Sequence, residues 1–188
     1  MSSTINEDKL LKLLAVAIVD NPRSTFKEIA ESVGISKATL HRSCGTRENL
    51  EKLLMEKSHE SVESIVGIAG KDYDDYEEGV KLLINAHYEN QEFLRYIGFQ
   101  TCTDDEYWKS YTKALDSFFL NGQKRGIFRI DFSVPVLTDF LYTTIFGMIE
   151  TERKGRVASS YTLETIEKLF LYSTLNKSCN DEDERSEE

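Results

Sequence analysis

Basic and small polar side chains are concentrated in one short stretch, residues 25–50. Lys and Arg bind phosphate oxygens and guanine edges, Ser and Thr hydroxyls bind phosphates or bases, and an Ala or Thr methyl contacts the methyl group of thymine. This combination indicates recognition of double-stranded DNA. The residues predicted to contact DNA are Thr25, Ser36, Lys37, Ala38, Thr39, His41, Arg42, Thr46 and Arg47.

No other pattern in the sequence indicates a reaction. The nucleophile elbow, the P-loop and the dinucleotide fingerprint do not occur. The three histidines, His41, His59 and His87, are not spaced as metal ligands. The acidic run at residues 104–106 fits a cation site or the first turn of a helix, and the helix dipole favours the second interpretation. We therefore expect no enzymatic activity, no metal and no cofactor.

The DNA-contacting residues need two short helices to position them. Thr25 and Glu28 are spaced as a capping box, which predicts the start of a helix. Gly34 permits a chain reversal with positive φ, and Ser36 can cap a second helix that runs to about residue 44. Such a pair presents its second helix outward, where it can enter a major groove. Its small core is predicted from Ile29, Ala30, Val33, Ile35 and Leu40.

The rest of the chain also has helical periodicity. Helices are predicted over residues 6–20, 25–33, 36–44, 46–69, 73–88, 91–101, 104–125, 133–153 and 163–177. No alternating apolar pattern requires a sheet. The predicted fold is all-α: a three-helix helix-turn-helix DNA-binding domain at residues 1–50, a helical ligand-binding and dimerisation domain at 51–178, and an acidic, disordered tail at 179–188. The helix at 46–69 connects the two domains.

Charge and composition limit the function classes. The net charge is −10, but residues 1–50 carry +1 and the rest of the chain carries −11, so the acidity lies outside the predicted DNA-binding segment.

Three scattered cysteines, Cys44, Cys102 and Cys179, favour reduced thiols over a disulfide framework. Neither a secretory signal nor a membrane-spanning stretch is evident, and we expect a cytoplasmic location without membrane association. Cys44 itself fits a small buried residue better than a redox sensor.

Aromatic residues are confined to the second part of the chain. Of twenty aromatic residues, only Phe26 precedes Tyr73. They can form a plain core, or they can line an apolar cavity between helices for a small molecule. The candidate ligand-binding residues are Phe93, Tyr96, Phe99, Trp108, Tyr111, Phe118, Tyr142 and Phe146.

The helix-turn-helix segment resembles the DNA-binding domain of the tetracycline-repressor (TetR) family. The matching positions are Thr25, Ile29-Ala30, Gly34-Ile35-Ser36, Thr39-Leu40-His41 and Arg47-Glu48-Asn49-Leu50. The sequence departs from the family pattern at His41, where a Tyr is usual, and at Ser43-Cys44, where an aromatic pair is usual. The resemblance implies an all-helical protein with a variable regulatory domain.

The resemblance also implies how such a protein works. Two subunits would associate through the last two long helices, using Leu137, Phe140, Leu141, Ile145, Ile166, Leu169, Phe170 and Tyr172. The homodimer would bind a palindromic operator and be released by a small molecule, expected to be apolar or aromatic. A helical ligand-binding or protein-interaction module without DNA function is the alternative.

Overall fold

The computed structural model describes residues 7–100 and 106–176, which form nine α-helices and no strand, apart from one isolated bridge between Phe128 and Leu175. The helices are α1 (Glu7–Asp20), α2 (Phe26–Ser32), α3 (Lys37–Cys44), α4 (Arg47–Ala69), α5 (Tyr76–Glu89), α6 (Gln91–Gln100), α7 (Glu106–Lys124), α8 (Val134–Arg153) and α9 (Ser159–Thr174). The prediction of an all-helical fold is confirmed.

Helix α5 begins three residues later than the sequence pattern predicts. The Asp75 carboxylate accepts hydrogen bonds from the backbone N–H groups of Glu77 (2.9 Å) and Glu78 (3.2 Å), and so it caps the helix. Tyr73 lies before this cap, and its hydroxyl donates to the Ile68 carbonyl at 2.9 Å. Tyr73 fits the helical periodicity of α5 because its ring is apolar and packs against Phe118, although the residue lies outside the helix.

Helix α9 is shifted relative to the prediction. It begins at Ser159 instead of residue 163, so Thr162 is a buried position inside the helix and not its N-cap. The helix ends at Thr174 because the chain then pairs with the segment before α8: Leu175 bridges to Phe128, and the Asn176 N–H donates to the Ile127 carbonyl at 2.8 Å. Several residues that the sequence analysis placed in helices, namely 6, 101, 104, 105 and 177, lie outside the described residues, as does the acidic tail.

The described residues form two compact units. The first unit lies within Met1–Ile65 and Glu89–Tyr111, and the second lies within Val66–Tyr88 and Thr112–Glu188. Helices α4 and α7 contribute residues to both units, and Glu89, the last residue of α5, belongs to the first. The boundary predicted near residue 50 is a functional division and stays a prediction.

In the first unit, α1 packs against α2 and α6. The fully buried side chains of the first unit include Leu14, Ile18, Ile29, Leu40 and Leu50. Polar contacts reinforce the packing of α1: the Arg95 guanidinium on α6 binds the Asp20 carboxylate at 2.8 Å, and the Lys12 ammonium donates to the Glu89 carbonyl at 2.7 Å. These two contacts therefore tie α1 to α6 and to the last residue of α5.

In the second unit, α8 packs against α9, and an aromatic cluster forms the core. The rings of Tyr76, Phe118, Phe119, Phe128 and Phe170 lie 5.1–6.1 Å from at least one neighbour in the cluster. Such edge-to-face and tilted pairs add to the stabilisation from burial. Among the described residues, no helix is long and apolar enough to cross a membrane, and no group of three His, Cys, Asp or Glu could hold a metal ion.

Candidate nucleic-acid interface

Helix α2 is fixed at its start by a complete capping box. The Glu28 N–H donates to the Thr25 hydroxyl oxygen at 3.3 Å, and the Thr25 N–H donates to the Glu28 carboxylate at 2.7 Å. The hydrogen bond from the Thr25 N–H to the carboxylate, with a smaller contribution from the Thr25 side chain, lowers the pKa of Glu28, because it favours the ionised form. The capping box predicted from the sequence is confirmed.

The turn after α2 reverses the direction of the chain. Gly34 has a φ of +77°, a conformation that L side chains rarely adopt, and the Ile35 N–H donates to the Ala30 carbonyl at 3.0 Å. Ser36 then caps α3, accepting from the Thr39 N–H at 3.1 Å. The turn and the cap therefore set the direction in which α3 leaves.

The inner face of α3 is anchored by one residue. Leu40 is completely buried beside Ile29 and Ala30 of α2 and Leu50 of α4. Since these are apolar groups at helical contact positions, they hold α3 without using any of its polar side chains. The predicted small core is present, with Val33 and Ile35 partly buried against it.

The opposite face of α3 is open. Ser36, Lys37, Ala38, His41 and Arg42 are exposed, and Thr39 is half-buried. No described residue forms an ion pair with Lys37 or Arg42, so both charges are available to an anion. This face combines two cations, an imidazole and a methyl group within about two helical turns, which suits a major groove.

The two remaining predicted contacts lie at the start of α4. Thr46 is exposed, and its hydroxyl accepts a hydrogen bond from the Asn49 N–H at 3.2 Å. Arg47 is different, because its guanidinium donates to the Glu51 carboxylate at 2.8 Å and to the Pro22 carbonyl at 3.0 Å, and it also donates to the Ser24 carbonyl. The sequence analysis missed these contacts, although the i, i+4 spacing of Arg47 and Glu51 was a visible signal for the first of them.

The departures from the family pattern are accommodated locally. Ser43 is exposed and donates to the Thr39 carbonyl at 3.1 Å. Cys44 is half-buried, and its thiol contacts the Leu40 carbonyl at 3.2 Å. Burial raises the pKa of the Cys44 thiol, which disfavours the reactive thiolate. Cys44 therefore packs against the core of the first unit, whereas the Ser43 hydroxyl bonds within its own helix.

The structure divides the predicted ligand-binding residues between the two units. Phe93, Tyr96 and Tyr111 are buried in the first unit, where Trp108 is half-buried against Tyr111 and Phe99 is exposed. Phe118 belongs to the aromatic cluster of the second unit. Tyr142 and Phe146 are neighbours on α8 with ring centroids 4.5 Å apart, and neither is fully buried. The role of the eight residues in binding a ligand stays a prediction.

The predicted dimer residues also divide into two groups. Leu137, Leu141, Ile145, Ile166 and Phe170 are buried inside the protomer, so they cannot form its outer face. The sequence could not separate the inner stripe of each helix from the outer one, because both are apolar. The exposed apolar residues of α8 and α9 are Val136, Phe140, Tyr142, Tyr161, Leu169 and Tyr172.

Known proteins resemble this chain in sequence and in fold. Residues 8–45, which form α1–α3, match the winged helix-turn-helix DNA-binding family. The HTH-type transcriptional regulator NfxB of Pseudomonas aeruginosa is 42% identical over 183 residues, covering 94% of this chain and 98% of that protein. This match favours a regulator over a helical module without DNA function.

Two solved structures share the fold across most of both chains. The MbdR regulator from Azoarcus sp. CIB has a TM-score of 0.62 with 16% identity over 88% of this chain and 97% of that one. PfmR from Thermus thermophilus, a TetR family transcriptional regulator, has a TM-score of 0.57 with 19% identity over 89% of this chain and 97% of that one. The two structures share the fold, and the 42% identity to NfxB over nearly the whole of both chains shows that this chain belongs to the TetR family of DNA-binding transcriptional regulators, which are not enzymes.

Proposed function

We propose that this regulator is a homodimeric repressor that binds a palindromic operator and leaves it when an apolar small molecule binds. The observation that carries the DNA-binding part is the open face of α3, where Lys37 and Arg42 are exposed and without ionic partners among the described residues. A repressor must share a compartment with the DNA that it binds, and we therefore propose a cytoplasmic location.

The side chains of the proposed DNA interface have distinct roles. Lys37 and Arg42 contact guanine edges or phosphates, and Ala38 contacts a thymine methyl. The Thr46 hydroxyl oxygen accepts a backbone N–H group, so its hydroxyl hydrogen remains able to donate to a phosphate oxygen. Thr25, at the start of α2, is the other phosphate contact of this proposal. Ser36, Thr39 and His41 complete the contact set.

The assignment of the reading face is tested by removing its charges. Lys37→Ala and Arg42→Ala should each weaken operator binding, by about 5- to 150-fold where the lost contact reads a base, while the dimer stays intact. Lys52→Ala is the matched control, since Lys52 is 78% exposed on α4 and does not belong to the contact set. An operator is first obtained by selection from random DNA at low salt. Gel-shift affinities unchanged in both variants would refute the assignment.

Dimerisation is proposed to use the outer face of α8 and α9. Val136 and Phe140 are one helical turn apart on α8, and Leu169 and Tyr172 are one turn apart on α9. Leu169 is 47% exposed and Tyr172 is 74% exposed, which is unusual for apolar side chains at adjacent turns unless a partner covers them. Pairing these faces by two-fold symmetry gives a four-helix interface.

A charge placed in the interface should separate the subunits. Leu169→Glu is expected to give a monomer in sedimentation experiments, because a carboxylate would lose water on burial without a partner. Leu120→Glu on α7 is the matched control, since Leu120 is a similarly exposed leucine (42%) outside the proposed face. A dimer that survives Leu169→Glu would place the interface elsewhere. The intact dimer should present its two copies of α3 about 34–36 Å apart, so the selected operator should be an inverted repeat.

The effector is proposed to be an uncharged apolar or aromatic molecule that binds near Tyr142 and Phe146. The Phe146 ring lies edge-to-face with His87 at 6.5 Å, and His87 is completely buried. Burial lowers the pKa of His87 to about 4, so this side chain is neutral at physiological pH. A neutral imidazole and two aromatic rings offer no charge to balance an ionic ligand.

A neutral fluorescent probe tests the proposed effector site near Tyr142 and Phe146. N-phenyl-1-naphthylamine should brighten on binding to the wild-type dimer and lower its operator affinity, since a ligand that prefers one conformer shifts the population towards it. Phe146→Ala should reduce both effects, and Leu120→Ala, which changes an exposed apolar side chain outside the candidate ligand-binding residues, is the control. Equal responses of the two variants would move the effector site away from α8.

A further inference from the structure

Arg47 at the start of α4 has a guanidinium group directed into the protein. Its Nε donates to the Glu51 carboxylate at 2.8 Å, and its Nη2 donates to the Pro22 carbonyl at 3.0 Å. Its Nη1 donates to the Ser24 carbonyl. The side chain is 34% exposed, so these contacts are partly shielded from water. Each of the three nitrogens of the group therefore has a partner inside the first unit.

The position of these partners in the chain is informative. Pro22 and Ser24 belong to the loop that enters α2, whereas Arg47 directly follows the loop that leaves α3. The guanidinium therefore joins the two chain ends of the helix-turn-helix. The loop it holds ends at Thr25, whose backbone N–H and hydroxyl form the cap of α2.

The charge of Arg47 is also balanced. Glu51 lies one turn further along α4 and forms an i, i+4 ion pair with it. The pair has no net charge, and a phosphate that approached it would meet a carboxylate as well as the guanidinium. Lys37 and Arg42 differ in this respect, because no described residue neutralises either of them.

We infer that Arg47 is a positioning residue, which orients the DNA-binding helix α3, and not a phosphate contact. It fixes the entry to α2 against the start of α4, so that α3 is held in one orientation between them. The inference rests on the proposed function only for its effect on DNA affinity. The hydrogen bonds of Arg47 with Pro22, Ser24 and Glu51, here called the Arg47 clamp, are a property of the protein without DNA.

Salt dependence separates the two roles. Loss of a charged phosphate contact reduces the magnitude of the slope of log K against log salt by about 1, whereas loss of a positioning contact weakens binding without changing the slope. Arg47→Gln is expected to weaken operator binding by about tenfold or more, because the charge-assisted hydrogen bonds that hold α3 in its orientation are lost. Its slope should equal that of Lys52→Gln, a control on the same helix with the same change in net charge.

The conservative variant gives a second test. Lysine keeps the charge but presents a single ammonium group, which does not reproduce the planar fork that reaches both carbonyls and Glu51. Arg47→Lys should therefore bind nearly as weakly as Arg47→Gln. Wild-type-like affinity of Arg47→Lys, or a slope for Arg47→Gln shallower by about 1 than that of Lys52→Gln, would overturn the inference.

Hydrogen exchange tests the clamp without DNA. The Ser24 N–H donates to the Asn21 carbonyl at 3.0 Å, and the Thr25 N–H donates to Glu28. Both amides should exchange faster in Arg47→Gln and in Arg47→Lys, and unchanged exchange would also overturn the inference. Lys37→Ala should leave both amides unchanged while it weakens DNA binding. If the wild-type dimer selects no operator, the proposed function fails, but the exchange rates still report on the clamp.

Discussion

Gly122 on α7 is the position where a single added methyl group should have the largest effect on packing. A Cβ at this residue would lie 2.4 Å from two ring carbons of Phe128 and 3.1 Å from Tyr76. In most helices, Gly→Ala is stabilising by roughly 0.5–1 kcal/mol, because alanine orders the backbone at lower entropic cost. At Gly122, the helical preference and the packing therefore oppose each other.

The structure indicates that packing prevails. The Phe128 ring is completely buried among Phe118, Phe119 and Tyr76, so it has no open space to enter. Its backbone is held on both sides, since the Ile127 N–H donates to the Gly122 carbonyl at 2.9 Å and the Arg129 N–H donates to the Thr174 carbonyl at 2.9 Å. Overpacking of this kind typically costs about 1–3 kcal/mol, and the pinned ring places Gly122→Ala at or above the upper end. After the helical gain, the net loss is about 2 kcal/mol.

Thermal unfolding at fixed protomer concentration, followed by circular dichroism at about 222 nm, measures this loss. For a chain of this length, about 2 kcal/mol corresponds to a Tm lower by roughly 4–8 °C. Gly67→Ala on α4 is the matched control, because no atom lies within 4 Å of its added Cβ, and its Tm should stay the same or rise. An unchanged or higher Tm for Gly122→Ala would show that the ring of Phe128 is not fixed as described.

Two further predictions concern a helix cap and a buried base. Ser36→Ala should lower the free energy of unfolding by about 1 kcal/mol, because α3 loses its N-cap. Ser43→Ala, in the last turn of the same helix, should be neutral or slightly stabilising. Urea titrations in which the two variants unfold alike would contradict this. Acid should destabilise the wild type between about pH 6.5 and pH 4, since burial lowers the pKa of His87 to about 4 while the unfolded chain binds the proton at its ordinary value. The loss across this window is on the order of 3 kcal/mol, and the free energy of unfolding of His87→Gln, measured across the same pH range, should lack it. The same pH dependence in His87→Gln and in the wild type would assign the effect to other groups.

The sequence predicted the helix-turn-helix in detail because its signals are local. The capping box at Thr25 and Glu28, the positive φ of Gly34 and the cap at Ser36 each depend on residues no more than three positions apart. Such contacts form in the same way in almost any tertiary context, and so α2 and α3 have the expected bounds within a residue.

Two later helices, α5 and α9, were located less accurately, because residues next to them pack with distant parts of the chain. The end of α9 is set by pairing of Leu175 with Phe128, which lies far away in sequence. Tyr73 has the periodicity of a helical residue, yet its ring packs against Phe118 from outside α5. Likewise, hydrophobicity alone could not show that Leu137 faces the protomer core while Phe140 remains partly exposed.

Arg47 was grouped with the DNA contacts because its hydrogen bonds to the Pro22 and Ser24 carbonyls join residues that are distant in sequence. A sequence gives the number of basic residues, but the structure shows which of them are already neutralised: Lys12 pairs with Asp8, Lys27 with Glu31 and Arg47 with Glu51. These i, i+4 pairs reduce the local potential on α1, α2 and α4. Lys37 and Arg42 keep their full charge, and both lie on the outward face of α3. A segment with a net charge of only +1 can therefore still concentrate its positive potential where a major groove would lie.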